Sequence, residues 1–227
     1  MNHPLDRPVW GSLTTGWASL AEGNDRALRL DRRHGVFGAA VDRSAESLAV
    51  LGALVPPDGA LWLVECDAWQ APPGTRIERV ADLVQMVCDV PVSPPTPAFE
   101  IVDLTDSDAP EMLALATLTK PGPFVRHTNR LGHFVGVRVH GDLVAMAGER
   151  MKLPGWSEVS GVCTHPDHRG RGYAAGLMRT VAARMTARGE TPWLTSYKSN
   201  AGAIALYETL GFRHRADMIA IVLVSDI

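Results

Sequence analysis

The sequence predicts an α+β fold, or a mixed α/β one, because strand-like and helical patterns are interspersed along its second half. Apolar runs with strand character cover residues 133–139, 142–151 and 157–164, and the turn His140-Gly141-Asp142 joins the first two as an antiparallel hairpin. A loop with two glycines follows, and then an apolar helix face formed by Ala174, Leu177, Met178, Val181 and Met185. These observations indicate an antiparallel start followed by a strand–loop–helix–strand unit.

The remaining elements of the second half are predicted from their boundaries. A strand near residues 99–102 precedes a helix near 107–117, whose first turn contains the capping and acidic residues of D-S-D. Gly189 is expected to end the helix that follows the glycine loop. A strand at 192–198, a helix from Asn200 to Leu210 and a last strand near 217–224 complete this half.

The first 90 residues predict fewer elements, and residues 91–97 separate them from the rest. A helix at 44–54, a strand at 61–64 and a helix at 77–88 are expected, with P-P-D-G at 56–59 as a turn. Residues 91–97 contain four prolines, which favour an extended linker. The predicted organisation is therefore an N-terminal α/β subdomain at 1–90, a linker at 91–97 and a second domain at 98–227.

Composition argues against several classes of function. The net charge of the 227 residues is −3, which does not suit a general nucleic-acid binder, and no apolar run approaches the length of a membrane span. Three cysteines without paired spacing indicate a reducing compartment, and the N-terminus has no signal-peptide pattern. We therefore expect a soluble, cytoplasmic protein with no nucleic-acid or membrane partner, and a homodimer stays open.

The most informative segment is T-H-P-D-H-R-G-R-G-Y-A-A at residues 164–175. Gly170 and Gly172 lie where a strand passes into a helix, and such a loop can bind a phosphate with backbone N–H groups at the helix N-terminus. No Lys-Ser or Lys-Thr follows, as a nucleoside triphosphate loop requires. A dinucleotide fingerprint, completed by Ala175, is met only formally, because H-P-D-H-R intervenes and the next strand ends at Lys198 rather than at an acidic residue. Coenzyme A is the remaining phosphate ligand.

With these motifs the chain resembles a known family, the GNAT superfamily of acyl-CoA N-acyltransferases. The family's phosphate loop, [QR]-x-x-G-x-[GA], is matched by Gly170 and Gly172, with Asp167 where Gln or Arg is usual. A second family pattern, Asn followed by A-x-x-L-Y-x-x-L-G-F, occurs as N-A-G-A-I-A-L-Y-E-T-L-G-F from Asn200 to Phe212. The runs V-A-M-A-G-E-R-M and E-V-S-G-V-C-T-H-P are similar to the glycine N-acyltransferase-like branch. The resemblance covers residues 98–227.

The resemblance implies a mostly antiparallel, twisted GNAT-like sheet flanked by helices, and residues 1–90 are compatible with a degenerate half of the same fold. It implies an N-acetyltransferase that moves an acetyl group from acetyl-CoA, without a metal, to an amine of a small molecule, an amino acid or a peptide. Transfer would be direct, in a ternary complex. The implied CoA-binding residues are Val162, Cys163, Thr164, His168, Arg169, Gly170, Arg171, Gly172, Tyr173, Ala174 and Asn200. The alternatives are an acyl-CoA-binding sensor without catalysis and an oxidoreductase with a nucleotide cofactor.

Two residues are candidates for proton transfer. Glu158 lies on the strand that enters the loop, on one face with Ser160 and Val162, and a carboxylate at the cleft can take the proton that an attacking amine must lose. In the resembled family a Glu on this strand often acts as that base, and a Tyr at the position of Tyr207 protonates the departing thiolate. Cys163 is expected to be a packing residue rather than a nucleophile, because no base follows at fixed spacing.

A metal site is not expected either. His165 and His168 are three residues apart in the glycine-loop segment, but no third ligand has the spacing of a zinc site. These histidines are therefore interpreted as surface loop residues.

Overall fold

The computed structural model of the protein describes residues 3–89 and 98–226. The helices of these residues are, in chain order, α1 (Pro8–Leu13), α2 (Ala45–Leu54), α3 (Ala109–Thr119), α4 (Tyr173–Ala187) and α5 (Ala201–Thr209). The strands are β1 (Ala21–Gly23), β2 (Ala27–Leu30), β3 (Gly38–Ala40), β4 (Ala60–Glu65), β5 (Thr75–Val87), β6 (Val102–Leu104), β7 (Phe134–Val139), β8 (Asp142–Leu153), β9 (Trp156–Thr164), β10 (Thr191–Tyr197) and β11 (Arg213–Ser225).

Eight of these strands form one sheet in the order β4-β11-β5-β10-β9-β8-β7-β6. Its neighbouring strands are antiparallel, except that β9 and β10 are parallel and connected through α4. A small antiparallel sheet of β1, β2 and β3 lies next to β4 and contacts it through a bridge between Phe37 and Trp62. The predicted fold class, a mixed α/β chain with a mostly antiparallel sheet flanked by helices, is confirmed.

Helices cover both faces of the large sheet. On one face, Leu177, Met178, Val181 and Met185 of α4 pack in a buried cluster with strand residues, as their helical spacing predicted. On the opposite face the N-terminal segment supplies a second cluster, whose members include Leu5, Val9, Leu13 and Trp17. A fully buried apolar side chain contributes about 1.5–3 kcal/mol to folding. The N-terminal segment is therefore part of the core that holds the sheet.

Most predicted elements are confirmed, including α2 and β4 in the first part of the chain and α3, β7–β10, α4, α5 and β11 in the second. His140 and Gly141 have φ of +54° and +95°, the left-handed pair that a two-residue hairpin loop requires. The side chain of Asn200 accepts a hydrogen bond from the N–H of Ala203 (3.3 Å) and caps α5. Gly189, with φ +77°, follows the end of α4.

The helix predicted at residues 77–88 is wrong, because residues 77–87 belong to β5. Apolar residues at 77, 80, 81, 84 and 87 recur with three- and four-residue spacing, which imitates an amphipathic helix. β5 instead pairs with β11 along its whole length and with β10 through residues 83–87. A strand between two others has its backbone hydrogen bonds satisfied by distant parts of the chain, which local periodicity does not reveal.

The predicted linker at 91–97 lies outside the described residues. Strands from both sides of it belong to the large sheet, since β4 and β5 precede it and β6–β11 follow it. β5 lies between β11 and β10, so the first part of the chain contributes a central strand. The division into a subdomain at 1–90 and a domain at 98–227 stays a prediction, and the two parts share one sheet.

We expect Leu83→Ala to lower the free energy of unfolding by about 2–5 kcal/mol, because Leu83 is only 7% exposed. Val80→Ala should change it by less than about 0.5 kcal/mol, because Val80 is 53% exposed. Residues three apart point to opposite faces of a strand but share one face of a helix. Equal losses for the two variants in urea unfolding would contradict the strand assignment.

Candidate functional site

β9 and β10 diverge after three paired residues, and the divergence opens a cleft in the sheet. The parallel pairing runs from Trp156–Thr191 to Glu158–Trp193 and stops there. Beyond this fork, β9 pairs with β8 and β10 pairs with β5. Within the described part of the chain, one edge of residues 159–164 therefore has backbone N–H and C=O groups without strand partners. An extended ligand can pair with such an edge.

A bulge at Gly161 bends β9 where this open edge begins. The register with β8 shifts between Ser160 and Cys163, and Gly161 has φ +64°. A Cβ at Gly161 would approach the ring of Phe134 to 2.9 Å, so both conformation and space require glycine. The sequence signal for this bulge is a glycine within a strand pattern.

The bulge also changes which residues share a face of β9. Val162 packs against the same buried cluster as Val159. The predicted common face of Glu158, Ser160 and Val162 is therefore wrong, because strict alternation holds only up to the extra residue.

The glycine loop has the backbone conformation that phosphate binding needs. Gly170 and Gly172 have φ of +76° and +78°, and apart from the adjacent residues no described residue lies within 4 Å of a Cβ built at either position. Conformation, rather than crowding by the protein, is thus the reason for glycine. Gly172 is the N-cap of the 15-residue α4, so the first N–H groups of that helix face the loop without a capping side chain.

The open edge and the loop line one cleft of about 700 Å³. Every predicted CoA-binding residue lies on its surface, together with Tyr207. Sequence reasoning missed lining residues that the helices and the end of α3 contribute: Thr119, Lys120, Pro121, Ala175, Gly202, Ala203 and Leu206. The end of α3 reaches the cleft only through tertiary packing, so no local pattern marks it.

The charges on the cleft surface are positive. Lys120, Arg169 and Arg171 line it, and no Asp or Glu does so among the described residues. Asp167, which stands where the family pattern has Gln or Arg, does not line the cleft, and its side chain is 85% exposed near His165. The His168 side chain also lines the cleft, and its Nδ1 is buried with no hydrogen-bond partner in the described chain. The surface suits a ligand with several phosphates.

Tyr207 lies on α5 and lines this cleft. Burial raises the pKa of the Tyr207 phenol above its ordinary value of 10.0, and a hydrogen bond with Ser196 acts in the opposite direction. The raised pKa means that the phenol keeps its proton throughout the neutral and mildly alkaline range. Tyr207 can therefore donate a proton at physiological pH.

Glu158 is at the fork, but it is not among the residues that line the cleft. Its side chain is 1% exposed and receives hydrogen bonds from Nε and Nη2 of Arg150, both at 2.8 Å. The hydroxyl of Thr195 donates to Oε1 at 3.1 Å. Glu158 therefore reaches a ligand only through its neighbours, and its role as a base stays a prediction.

A second, smaller cavity of about 140 Å³ adjoins the cleft at Val162, Asn200 and Tyr207, which line both. Arg150 and Thr195, the two side chains that bond to Glu158, line this smaller cavity. Its opposite wall comes from the first part of the chain and includes Phe37, Trp62, Val64 and Leu83. We call it the inner cavity. A molecule in the inner cavity would meet a molecule in the cleft beside Tyr207.

Comparisons with known proteins identify the family. The family model described as FR47-like protein matches residues 134–220. The crystal structure of an acetyltransferase assigned to the GNAT family, from Novosphingobium aromaticivorans, is 50% identical to this chain, covers 100% of both chains and superposes with a TM-score of 0.90. The chain belongs to the GNAT family. It is accordingly an acyltransferase, and the oxidoreductase alternative has no support.

More distant GNAT structures share the fold. A GCN5-related N-acetyltransferase from Kribbella flavida is 18% identical, with 98% of this chain and 96% of the other covered and a TM-score of 0.66. A GCN5-related N-acetyltransferase-like protein from Streptococcus suis is 16% identical, with 94% and 91% covered and a TM-score of 0.61. The comparison with curated proteins gave no match. Membership of the glycine N-acyltransferase-like branch stays a prediction.

Cys163 does not have the properties of a catalytic nucleophile. Cys163 lines the cleft, but burial raises the pKa of its thiol to about 11, and hydrogen bonding by Thr119 offsets this only partly. The thiol is therefore protonated at neutral pH and is a poor nucleophile.

Residues 3–89 and 98–226 contain no group of three or more potential ligands that could hold a metal ion. The same residues contain no helix that is long and apolar enough to cross a membrane.

Proposed function

We propose that the protein transfers the acetyl group of acetyl-CoA to an amine of a small molecule, an amino acid or a peptide. One observation carries this proposal: the open edge of β9 continues into the glycine loop and the N-terminus of α4 within one cleft. A pantetheine arm needs backbone partners along a strand, and the diphosphate at its end needs N–H donors and cations. Residues 159–174 offer these groups in that order.

Backbone groups would hold most of acetyl-CoA. Val162, Cys163 and Thr164 would pair with the pantetheine arm, and residues 168–174 would surround the diphosphate. Oδ1 of Asn200 caps α5, which leaves its amide nitrogen to donate to the arm. The positive charge of Arg169 and Arg171 would neutralise the phosphates.

Transfer would be direct, with the acceptor amine in the inner cavity and acetyl-CoA in the cleft. The amine nitrogen forms a bond to the acetyl carbon, the carbon–sulfur bond breaks, and the amine loses a proton. Because both substrates meet beside Tyr207, positioning would supply much of the rate enhancement. The protonated state of Cys163 supports direct transfer over an acyl-enzyme.

Tyr207 would protonate the departing thiolate, since its raised pKa keeps the phenol protonated and it lies where the two cavities meet. Glu158 would receive the proton of the amine through Thr195. The Thr195 hydroxyl lines the inner cavity and donates to Oε1 of Glu158. It can accept a proton from the amine while it passes its own proton to the carboxylate.

We expect calorimetry to show binding of acetyl-CoA and CoA, and no binding of NADP or ATP. We also expect Gly170→Val to weaken CoA binding by at least about tenfold. A side chain there would occupy the free space beside the loop and strain a residue with φ +76°. Gly155→Val is the matched control, because Gly155 has φ +76° and equally free surroundings but lies in the β8–β9 turn, away from the cleft. Equal CoA affinity for the two variants would contradict phosphate binding by the glycine loop.

Tyr207→Phe is expected to lower kcat by about 10²–10⁴-fold while CoA affinity stays unchanged, because the ring remains and only the proton donor is lost. The wild-type kcat should not fall with rising pH until the phenol ionises above pH 10, since its pKa is raised from 10.0. Thiol release measured from pH 7 to 9.5 tests both statements. Full turnover of Tyr207→Phe would contradict the role of Tyr207 as the general acid.

The sensor alternative has a different outcome. A folded protein that binds acetyl-CoA and releases no thiol with any amine would be a sensor.

For the proton relay we expect Thr195→Val to lower kcat/KM by about 10²-fold and to move the acidic limb of its pH profile, while Thr195→Ser restores both. Glu158→Gln should have a similar kinetic effect. It should also lower the free energy of unfolding, because it leaves the charge of Arg150 unpaired in the interior. If Thr195→Val and a folded Glu158→Gln are both fully active, the Arg150–Glu158 pair is structural only.

A further inference from the structure

A depression on the protein surface, which we call the outer trough, lies beside the inner cavity. Its volume is about 600 Å³, and it shares Trp62, Lys120, Gly122, Pro123 and Tyr197 with the inner cavity. The inner cavity itself, at about 140 Å³, is close in size to a cavity that holds one benzene molecule, about 150 Å³. With acetyl-CoA in the cleft, an acceptor larger than this would extend into the outer trough.

The inner cavity suits one amine rather than a polycation. Within the described residues, no Asp or Glu lines it, and its two cationic residues are Lys120 and Arg150. Glu158 neutralises Arg150. A polyamine or an aminoglycoside carries several ammonium groups and needs carboxylates around it, which the inner cavity does not provide.

Arg79 of β5 lies in the outer trough between two aromatic rings. Its Cζ is 5.0 Å from the centre of the Trp62 ring and 5.7 Å from the centre of the Tyr197 ring. The sheet register brings Trp62 close, because Trp62 pairs with Val222 of β11 and Val222 pairs with Arg79. Nη2 of Arg79 also donates to the Tyr197 hydroxyl at 3.0 Å. The stacking and this hydrogen bond hold the guanidinium in place and leave further N–H donors for a ligand.

The outer trough has an excess of positive charge. Arg79 and Lys120 line it together with one carboxylate, Glu78. Neither cation has an ion-pair partner in the described part of the chain. One further carboxylate would balance these charges, and a guanidinium can bind it through two parallel N–H donors. The outer trough therefore favours a ligand group with a single negative charge.

This anion site is remote from the place of the reacting amine. Thr195 lines the inner cavity and not the outer trough, whereas Arg79 lines the outer trough and not the inner cavity. Thr195 pairs with Gln85, Tyr197 pairs with Leu83, and Arg79 lies further along β5 in the same direction. Two strand residues span about 7 Å. An amine at Thr195 and an anion at Arg79, beyond Tyr197, are therefore at least about 7 Å apart.

We propose that the acceptor is an elongated amine with a terminal carboxylate, and that Arg79 binds this carboxylate in the outer trough. Because a C–C bond is about 1.5 Å long, about six bonds or more must separate the nitrogen from the carboxylate. The chain between them would pass Trp62 and Tyr197, which line both cavities. This inference rests on the proposed acetyl transfer and chooses one class among the amines that it allows. Arg79 is a specificity-determining residue away from the reacting atoms.

The test is thiol release with saturating acetyl-CoA and four ω-amino acids of increasing length: glycine, 4-aminobutanoate, 6-aminohexanoate and 8-aminooctanoate. Octylamine is the matched acceptor without a carboxylate. The value of kcat/KM should rise along the series, because the short chains do not reach from Thr195 to Arg79. For 8-aminooctanoate it should exceed that for octylamine by about 10–100-fold, the effect expected of a hydrogen bond between charged groups.

Arg79→Ala should raise KM for 8-aminooctanoate by about 10–100-fold with little change in kcat, and should not affect octylamine. Arg79→Glu should reverse the preference, so that 1,8-diaminooctane becomes a better acceptor than 8-aminooctanoate. Arg76→Ala is the matched control, because Arg76 is an exposed arginine of the same strand that lines none of the cavities described above.

Three outcomes would overturn the inference without touching the proposed function. They are equal kcat/KM for 8-aminooctanoate and octylamine, equal kinetics for Arg79→Ala and wild type, and no thiol release with any of these acceptors from a protein that binds acetyl-CoA. Absence of acetyl-CoA binding in calorimetry would instead overturn the proposed function.

Discussion

The divergence of β9 and β10 after Glu158 and Trp193 is the constraint on which the rest of the site depends. A parallel pair that continued would satisfy the backbone of β9 and leave no edge for a ligand. The fork is maintained from both sides. β9 has a bulge at Gly161 and stays paired with β8, and β5 pairs with the edge of β10 that faces away from the cleft. The backbone groups on one edge of β9 are thus left for a substrate, whereas those of β10 pair with β5.

The position of β5 within the large sheet also explains why the two parts of the chain line different cavities. Residues after 98 form the cleft, whereas one wall of the inner cavity comes from the first part of the chain, through Phe37, Trp62, Val64 and Leu83. The same part of the chain therefore supplies a central strand and one wall of the cavity that the proposed transfer assigns to the acceptor. The inner cavity and the cleft share Lys120, Pro121, Val162, Asn200 and Tyr207, and none of these residues belongs to the first part of the chain.

The sequence predicted what local chemistry determines. The glycines at 170 and 172, the cap at Asn200 and the hairpin at His140-Gly141 each need a particular residue type at one position, so their patterns were readable. The strand at 75–87, the contribution of Lys120 to the cleft and the enclosure of Glu158 by Arg150 depend on contacts between distant segments. The spacing of apolar residues in β5 predicted a helix instead of a strand, because a central strand can be apolar on both faces and then need not alternate.

The enclosure of Glu158 has a consequence for the proposed chemistry. Arg150 donates two hydrogen bonds to the carboxylate and lines the inner cavity, so its charge is balanced while Glu158 is ionised. In the proposed relay, Glu158 becomes neutral when the amine proton arrives, and the charge of Arg150 is then no longer balanced. An unbalanced charge in the interior raises the free energy of that state, so the relay requires the proton to leave Glu158 again within the catalytic cycle.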